Sequence, residues 1–172
     1  MRLDLLTYLD NQSLLHTLKL KSLKRAGWQR ASVDDAESVA AHSWGVAWLA
    51  LLIKPDNLCL ERVLELALIH DLAEIVVGDI TPHDGISSAD KAERELNAFK
   101  SLSRELPQAE HLVAVFIEYQ ECKTPEAVFV HQCDKLDMWL QAKYYMREYP
   151  ELELREFIES ANNYLRSIAT AK

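Results

Sequence analysis

Leu66-Ala67-Leu68-Ile69-His70-Asp71-Leu72-Ala73-Glu74 is the stretch whose reading decides the fold. Four apolar residues run straight into a histidine and an aspartate, and a second acid follows three positions later. Upstream, Leu60, Val63, Leu64, Ala67 and Leu68 recur at i, i+3, i+4, i+7 and i+8, the core stripe of an amphipathic helix. That helix delivers His70-Asp71 at its end. A carboxylate that follows a core stripe is costly to bury unpaired, and a divalent cation is one group that compensates it. Glu74 lies four residues after His70 and three after Asp71, so it shares their helical face. Taken alone the pair is weak evidence, because a satisfied helix-end histidine beside a solvated aspartate is the commoner outcome.

Two further residues change that balance. His42 lies in Glu37-Ser38-Val39-Ala40-Ala41-His42-Ser43-Trp44, on a helix with a strongly apolar C-terminal half. Asp134 lies among apolar residues in Val130-His131-Gln132-Cys133-Asp134-Lys135-Leu136, in the middle of a long helix. Together they give H…HD…D, two imidazoles and two carboxylates from three helices. Mixed ligands of this kind suit one divalent transition metal ion such as Mn, Co, Fe, Ni or Zn. Cys59, Cys122 and Cys133 form no C-x-x-C pair, which excludes an all-thiolate zinc site and reads as free thiols in a reducing compartment.

The rest of the chain reads as helices. Leu5, Leu6, Leu14, Leu15, Leu18 and Leu23 give Leu3–Lys24 helical spacing, and Trp28–Glu37 is polar and reads as a loop. Helix resumes from Ser38 to Ile53, where Lys54-Pro55-Asp56-Asn57 supplies turn chemistry. Gly78–Ser88 is the longest loop signal, and Ser87 or Ser88 caps the helix after it. Pro107 fits the first turn of another helix. Thr124-Pro125-Glu126 starts a long helix through Tyr149, Pro150 stops it, and a last amphipathic helix covers about Leu152–Ile168. Trp44, Trp48 and Trp139 read as core. The expected architecture is all-α, a bundle of about seven or eight helices in one domain over 1–172. With 172 residues, only 4 Gly and 5 Pro, and no sustained strand alternation, no other class fits as well.

The net charge of -8 and the absence of a large basic cluster argue against a polymeric nucleic acid partner. A single nucleotide is compatible with it. The longest apolar run, Val46–Ile53, is far too short to span a bilayer, and the N-terminus carries Asp4 and Asp10 rather than a signal segment. A cytoplasmic protein is expected. Walker, dinucleotide and nucleophile-elbow motifs are missing.

The H…HD…D set resembles the HD superfamily of metal-dependent phosphohydrolases. Ser38-x-x-x-His42, Ala67-Leu68-x-His70-Asp71-x-x-Glu74-x-x-x-Gly78-Asp79-Ile80, Glu118-Tyr119 and Val128-Phe129-Val130-x-Gln132-x-Asp134-Lys135-Leu136 look like its 5'-deoxynucleotidase branch. That branch removes phosphate from deoxyribonucleoside monophosphates. The likeness runs from about Leu23 to Ala142 and implies an HD-domain helical bundle that acts as a homodimer on a small nucleotide. It implies that His42, His70, Asp71 and Asp134 hold the metal and that Glu74 moves a proton. It further implies that Arg25 binds the 5'-phosphate, with Arg30 as an alternative, ahead of a loop tryptophan, Trp28. Asp79 matches an aspartate that contacts the sugar 3'-hydroxyl, and Glu118 matches a position that supports the substrate pocket. The residues themselves leave Asp79 open as a turn residue and Glu118 as a solvated helix carboxylate. The rival readings are an HD phosphohydrolase for another nucleotide or a phosphodiester, and a non-catalytic metal-binding helical module.

Overall fold

The computed structural model describes residues 8–170. Among them are nine α-helices, two of only five and four residues, and no strand; one isolated bridge joins Lys24 to Ser38. In chain order these are α1 (Gln12–Thr17), α2 (Ala26–Arg30), α3 (Val39–Ile53), α4 (Leu60–Ile69), α5 (Glu74–Val77), α6 (Ser88–Ser103), α7 (Ala109–Glu121), α8 (Pro125–Glu148) and α9 (Arg155–Thr170).

The three long site-bearing or flanking helices start where the sequence places a cap. The side chains of Ser38, Ser87 and Thr124 accept hydrogen bonds from the backbone N–H of Ala41, Asp90 and Ala127, and Pro125 opens α8 where no N–H is needed. Helix α8 runs through the middle and packs against α3, α4, α7 and α9, while α3 also packs on α4. The larger core, which includes Val46, Val63, Leu66, Phe99, Phe116 and Val130, ties α3, α4, α6, α7 and α8 together. A second core of Trp28, Val33, Ala36, Ala142, Tyr145 and Leu154 joins α2 and α9 to the far half of α8. Most of the candidate site residues expected from the sequence line or adjoin one cavity beside α8.

Several expectations change. The segment Leu3–Lys24 is not one helix: its first five residues lie outside the described residues, and the remainder breaks into α1 and a 3-10 turn over Leu18–Lys21. Trp28 sits inside α2 rather than in a loop, its ring buried against Phe157 and Tyr145 at centroid distances of 4.2 and 5.4 Å. Pro107 precedes α7 instead of opening it, because Gln108 takes a left-handed conformation at the helix start. Trp44 and Trp48 are not core; they are 67% and 46% exposed and stack on each other. On α4 the stripe is turned by about one residue. Leu60 and Leu68 face out, and Val63, Leu66 and Ala67 face in. The buried face then continues at i+7 from Val63 to His70, which explains why an imidazole at this position is inside.

Candidate metal centre

Helix α4 ends at Ile69, and the chain turns through His70–Ala73 before α5 begins at Glu74. The turn is held by Glu74 N–H donating to the Asp71 carbonyl at 3.0 Å. It aims His70, Asp71 and Glu74 at one cavity of about 520 Å³, a size that suits a small-molecule ligand. Helix α3 brings His42 to the same place from behind, and α8 brings Asp134. The Nε2 atom of His42 lies 3.2 Å from Asp134 Oδ1 and 3.6 Å from Asp71 Oδ2, and His70 Nε2 lies 3.2 Å from Asp71 Oδ2. The ligand atoms of His42, His70 and Asp71 all fall within 4.8 Å of one another.

Both Nε2 atoms are buried, and neither makes a hydrogen bond of acceptable geometry. Two unsatisfied imidazole nitrogens deep in a protein are costly unless something occupies the space they face. The Nδ1 atoms are occupied: that of His70 donates to the Ala67 carbonyl at 2.8 Å, and that of His42 meets Asp137 Oδ2 at 2.7 Å. Each ring is thus oriented with Nε2 facing the site, so that binding a metal in place of a proton uses the Nε2 lone pair. The donor set, two imidazoles converging with two carboxylates, fits a divalent transition metal ion.

The charge balance agrees. Burial opposes ionisation of Asp71, but the neighbouring His70, His42 and Arg25 outweigh it and hold the carboxyl below its ordinary range. Asp134 is likewise held low against its burial, by Lys135 and His42. Burial and the Arg25 charge disfavour the His42 imidazolium, yet Asp134 and Asp137 lift its pKa to about 9 without a metal. The carboxylates therefore attract positive charge to this point, whether it arrives as a proton or as a cation.

Glu74 stands apart from the other acids. It is only 3% exposed, and its Oε2 has no partner. Burial, then the charges of Asp71 and Asp79, push its carboxyl well above the ordinary range, with Arg25 and Lys91 offsetting part of the effect. The Arg25 guanidinium reaches Asp71 Oδ2 at 3.4 Å, lies at the cavity wall and stays charged. Asp79 also lines the cavity, and one of its oxygens, Oδ2, accepts from Ala26 N–H at 2.7 Å, so it pins the first turn of α2 beside Arg25.

The HD domain family model matches residues 17–171. The chain belongs to the HD domain family. It is 39% identical to the human 5'-deoxynucleotidase HDDC2 over 160 residues, which are 87% of this chain and 76% of that protein. It is 36% identical to the 5'-deoxynucleotidase hdd1 of Schizosaccharomyces pombe over 146 residues, 81% of this chain and 74% of that one. Among solved structures, the PH0347 protein of Pyrococcus horikoshii OT3 superposes with a TM-score of 0.74 at 32% identity, covering 93% of this chain and 96% of its own.

The HD cluster brings together seven of the nine residues singled out from the sequence: His42, His70, Asp71, Asp134, Glu74, Arg25 and Asp79. Trp28 forms part of the cavity wall, but its indole N–H is spent on Glu37 Oε1 at 2.9 Å. Glu118 is the exception, and its expected place at the substrate pocket is corrected. Its Oε2 accepts from Arg62 Nε at 2.8 Å and its Oε1 from Thr124 Oγ1 at 2.6 Å, on a side of α7 that does not line the cavity. Arg30 is drawn to the rim, where it pairs with Glu156 at 2.8 Å. Sequence reasoning passed over Asp137, although it stands one turn after Asp134 on the same helix; that i+3 spacing was the available signal. Tyr119 and Lys135, which appear in the sequence motifs without an assigned role, also line the cavity.

Proposed function

We propose that this HD domain protein hydrolyses deoxyribonucleoside 5'-monophosphates to deoxyribonucleoside and phosphate. The observation that carries the reading is the pairing of two unsatisfied, buried imidazole Nε2 atoms with a separate buried acid, Glu74. The names of the relatives in man and fission yeast point to the same reaction. His42, His70, Asp71 and Asp134 would hold one divalent ion, with Mn, Co, Fe, Ni and Zn all compatible with the donors. When bound, such an ion polarises the phosphoryl group as a Lewis acid.

The chain's own residues account for the remaining needs. Arg25, held by Asp71 and always charged, takes the negative charge of the phosphate. Burial and the neighbouring carboxylates favour the protonated form of Glu74, and its proton would go to the leaving 5'-oxygen as the phosphorus–oxygen bond breaks. A water oxygen forms the new bond to phosphorus and remains as a hydroxyl of the phosphate, and the proton that water sheds restores the acid form of Glu74. The free oxygen of Asp79 accepts a hydrogen bond from a sugar 3'-hydroxyl, and its charge repels a 3'-phosphate. Trp28 forms a fixed wall beside Arg25.

The homodimer belongs to the same proposal. Trp44, Trp48, Leu51 and Leu52 of α3 are exposed together with Leu140 and Tyr144 of the adjoining α8, an apolar face that a second copy would cover. Light scattering of the purified protein tests it. No helix among the described residues is long and apolar enough to cross a membrane. Three free cysteines support a reducing compartment such as the cytoplasm. The decisive assay offers deoxy- and ribonucleoside 5'-mono-, di- and triphosphates and a phosphodiester with added Mn or Co. Release of inorganic phosphate from the deoxynucleoside monophosphates is the expected result; release of pyrophosphate or triphosphate, or cleavage of the diester alone, would assign another reaction.

A further inference from the structure

Gly45 lies inside α3, where glycine weakens a helix and nothing about the backbone asks for it. Its φ is ordinary, so the reason lies in what a side chain would meet. A Cβ at this position would come within 2.1 Å of Asp137 Oδ1 and 2.9 Å of its Cγ. Both contacts are shorter than real carbon contacts, and the obstructing atoms are the carboxylate itself. That carboxylate reaches across from α8 and puts its other oxygen, Oδ2, 2.7 Å from His42 Nδ1. The separation is a hydrogen-bond length and leaves no room for an ion between the two groups.

We propose that Gly45 and Asp137 form a positioning pair for His42. The bare face of α3 at Gly45 admits the Asp137 carboxylate, which fixes His42 as the Nδ1–H tautomer and turns Nε2 toward the metal site. His42 is fully buried, so in the intact structure its Nδ1 depends on this partner and not on bulk water. His70 obtains the same orientation from the backbone carbonyl of Ala67 within its own turn. His42 sits in the first turn of α3, where the carbonyl three residues back, that of Val39, already accepts from Ser43 Oγ at 3.0 Å, and its Nδ1 finds its partner on another element. The proposal rests on the reading of His42 as a metal ligand.

The test measures Co(II) affinity by competition with a chromogenic chelator at fixed pH, in wild type, Asp137→Ala, Asp137→Asn, Gly45→Ala, the Gly45→Ala/Asp137→Ala double variant and His42→Ala. Outer partners of ligating histidines typically contribute about 10–100-fold to metal affinity. Asp137→Ala is expected to weaken Co(II) by that amount, and Asp137→Asn, which keeps an acceptor oxygen without the charge, by less. Gly45→Ala should match Asp137→Ala, and the double variant should bind no worse than Asp137→Ala alone. In the Asp137→Ala background the same Gly45→Ala change should raise the Tm, since the obstruction is gone and alanine favours the helix. The Zn-loaded wild type should show His42 protonated at Nδ1 by nitrogen-15 NMR, and Asp137→Ala should lose that signature.

Strictly additive losses at 45 and 137 would overturn the pairing. If His42→Ala loses Co(II) while both Asp137 variants bind at wild-type affinity, Asp137 is a packing residue and the proposal falls alone. If His42→Ala itself keeps wild-type affinity, the metal-site reading falls, and this proposal with it. Should Gly45→Ala fail to fold, the two Asp137 variants and the NMR signature decide the matter.

Discussion

Two clusters in this molecule share histidine and glutamate side chains and behave in opposite ways. At the cavity, His42, His70, Asp71, Glu74 and Asp134 are brought together by α3, α4, α5 and α8. On the outside, Arg62 and Glu65 of α4 meet His111 and Glu118 of α7 and Thr124 at the start of α8. The outer cluster is closed: Arg62 bridges Glu65 at 2.9 Å and also binds Glu118, Glu65 takes His111 at 2.7 Å, and Thr124 satisfies the remaining Glu118 oxygen. The inner cluster is open. Three of its polar atoms, the Nε2 atoms of His42 and His70 and Oε2 of Glu74, are buried without a hydrogen-bond partner. Closed, half-exposed ion pairs tie helices together and contribute little each; open, buried ones store a demand for a ligand. The difference separates a chemical site from a structural clasp better than residue identity does.

Breaking the inner cluster should have the largest effect. His70→Ala or Asp71→Ala removes one of the four proposed metal donors and would leave the others poorly compensated. Metal content by elemental analysis should fall to background and phosphate release with it; full occupancy in both variants would remove these residues from the site.

Glu74→Gln should separate metal from chemistry. Metal content stays, and turnover falls by roughly 10²–10⁴-fold, the usual contribution of a general acid or base. The same change carries a stability signature. The folded, metal-free protein holds Glu74 protonated above the pH at which the unfolded chain ionises, because the folded pKa lies well above the ordinary 4.5. Stability from this group is complete below about 4.5 and is lost as pH rises toward the folded value. Metal-free Glu74→Gln should therefore melt above wild type at pH 7, with the gap closing as the pH drops below 4.5. Equal melting temperatures at both pH values would show that Glu74 is not strained.

Asp79→Ala is expected to cost less. One hydrogen bond to a charged group corresponds to roughly ten- to a hundred-fold in kcat/KM for 5'-monophosphates. Metal content should be unchanged, and discrimination against matched 3'-monophosphates should narrow. If kcat/KM changes for neither substrate, Asp79 serves only to pin α2 at Ala26. The smallest effect belongs to the outer cluster. Glu118→Gln should leave turnover at the wild-type level and lower stability by no more than about 1 kcal/mol, the range of partly exposed ion pairs. A drop in turnover comparable with that of Glu74→Gln would abolish the contrast between the two clusters.

Much of this was legible in the sequence, for identifiable reasons. Caps at Ser38, Ser87 and Thr124 are local chemistry, so the starts of α3, α6 and α8 read correctly. The four expected metal donors could be named because two imidazoles and two carboxylates on three helices make the H…HD…D pattern, which the His70-Asp71 pair alone would not establish. The failures are tertiary. Glu118 looks the same in sequence whether it faces a ligand or an arginine, and only Arg62, 56 residues away in the chain, decides which. Trp44 and Trp48 are apolar, but which side of α3 meets α4 and α8 is not written in its second half, 44–53, which is apolar all round. Trp28 appeared to lie in a polar loop because its partners, Tyr145 and Phe157, come from the other end of the chain. The spacing from Asp134 marks Asp137, but the role proposed for it depends on the missing side chain at Gly45, a tertiary fit that spacing does not reveal.

The most direct test of the central claim is an anomalous difference map from crystals of the Mn-loaded protein, measured at the manganese edge. The account predicts one strong peak per chain, bounded by Nε2 of His42, Nε2 of His70, a carboxylate oxygen of Asp71 and one of Asp134. A peak at the Glu65–Glu118 cluster or elsewhere, with none between the two imidazoles, would contradict it.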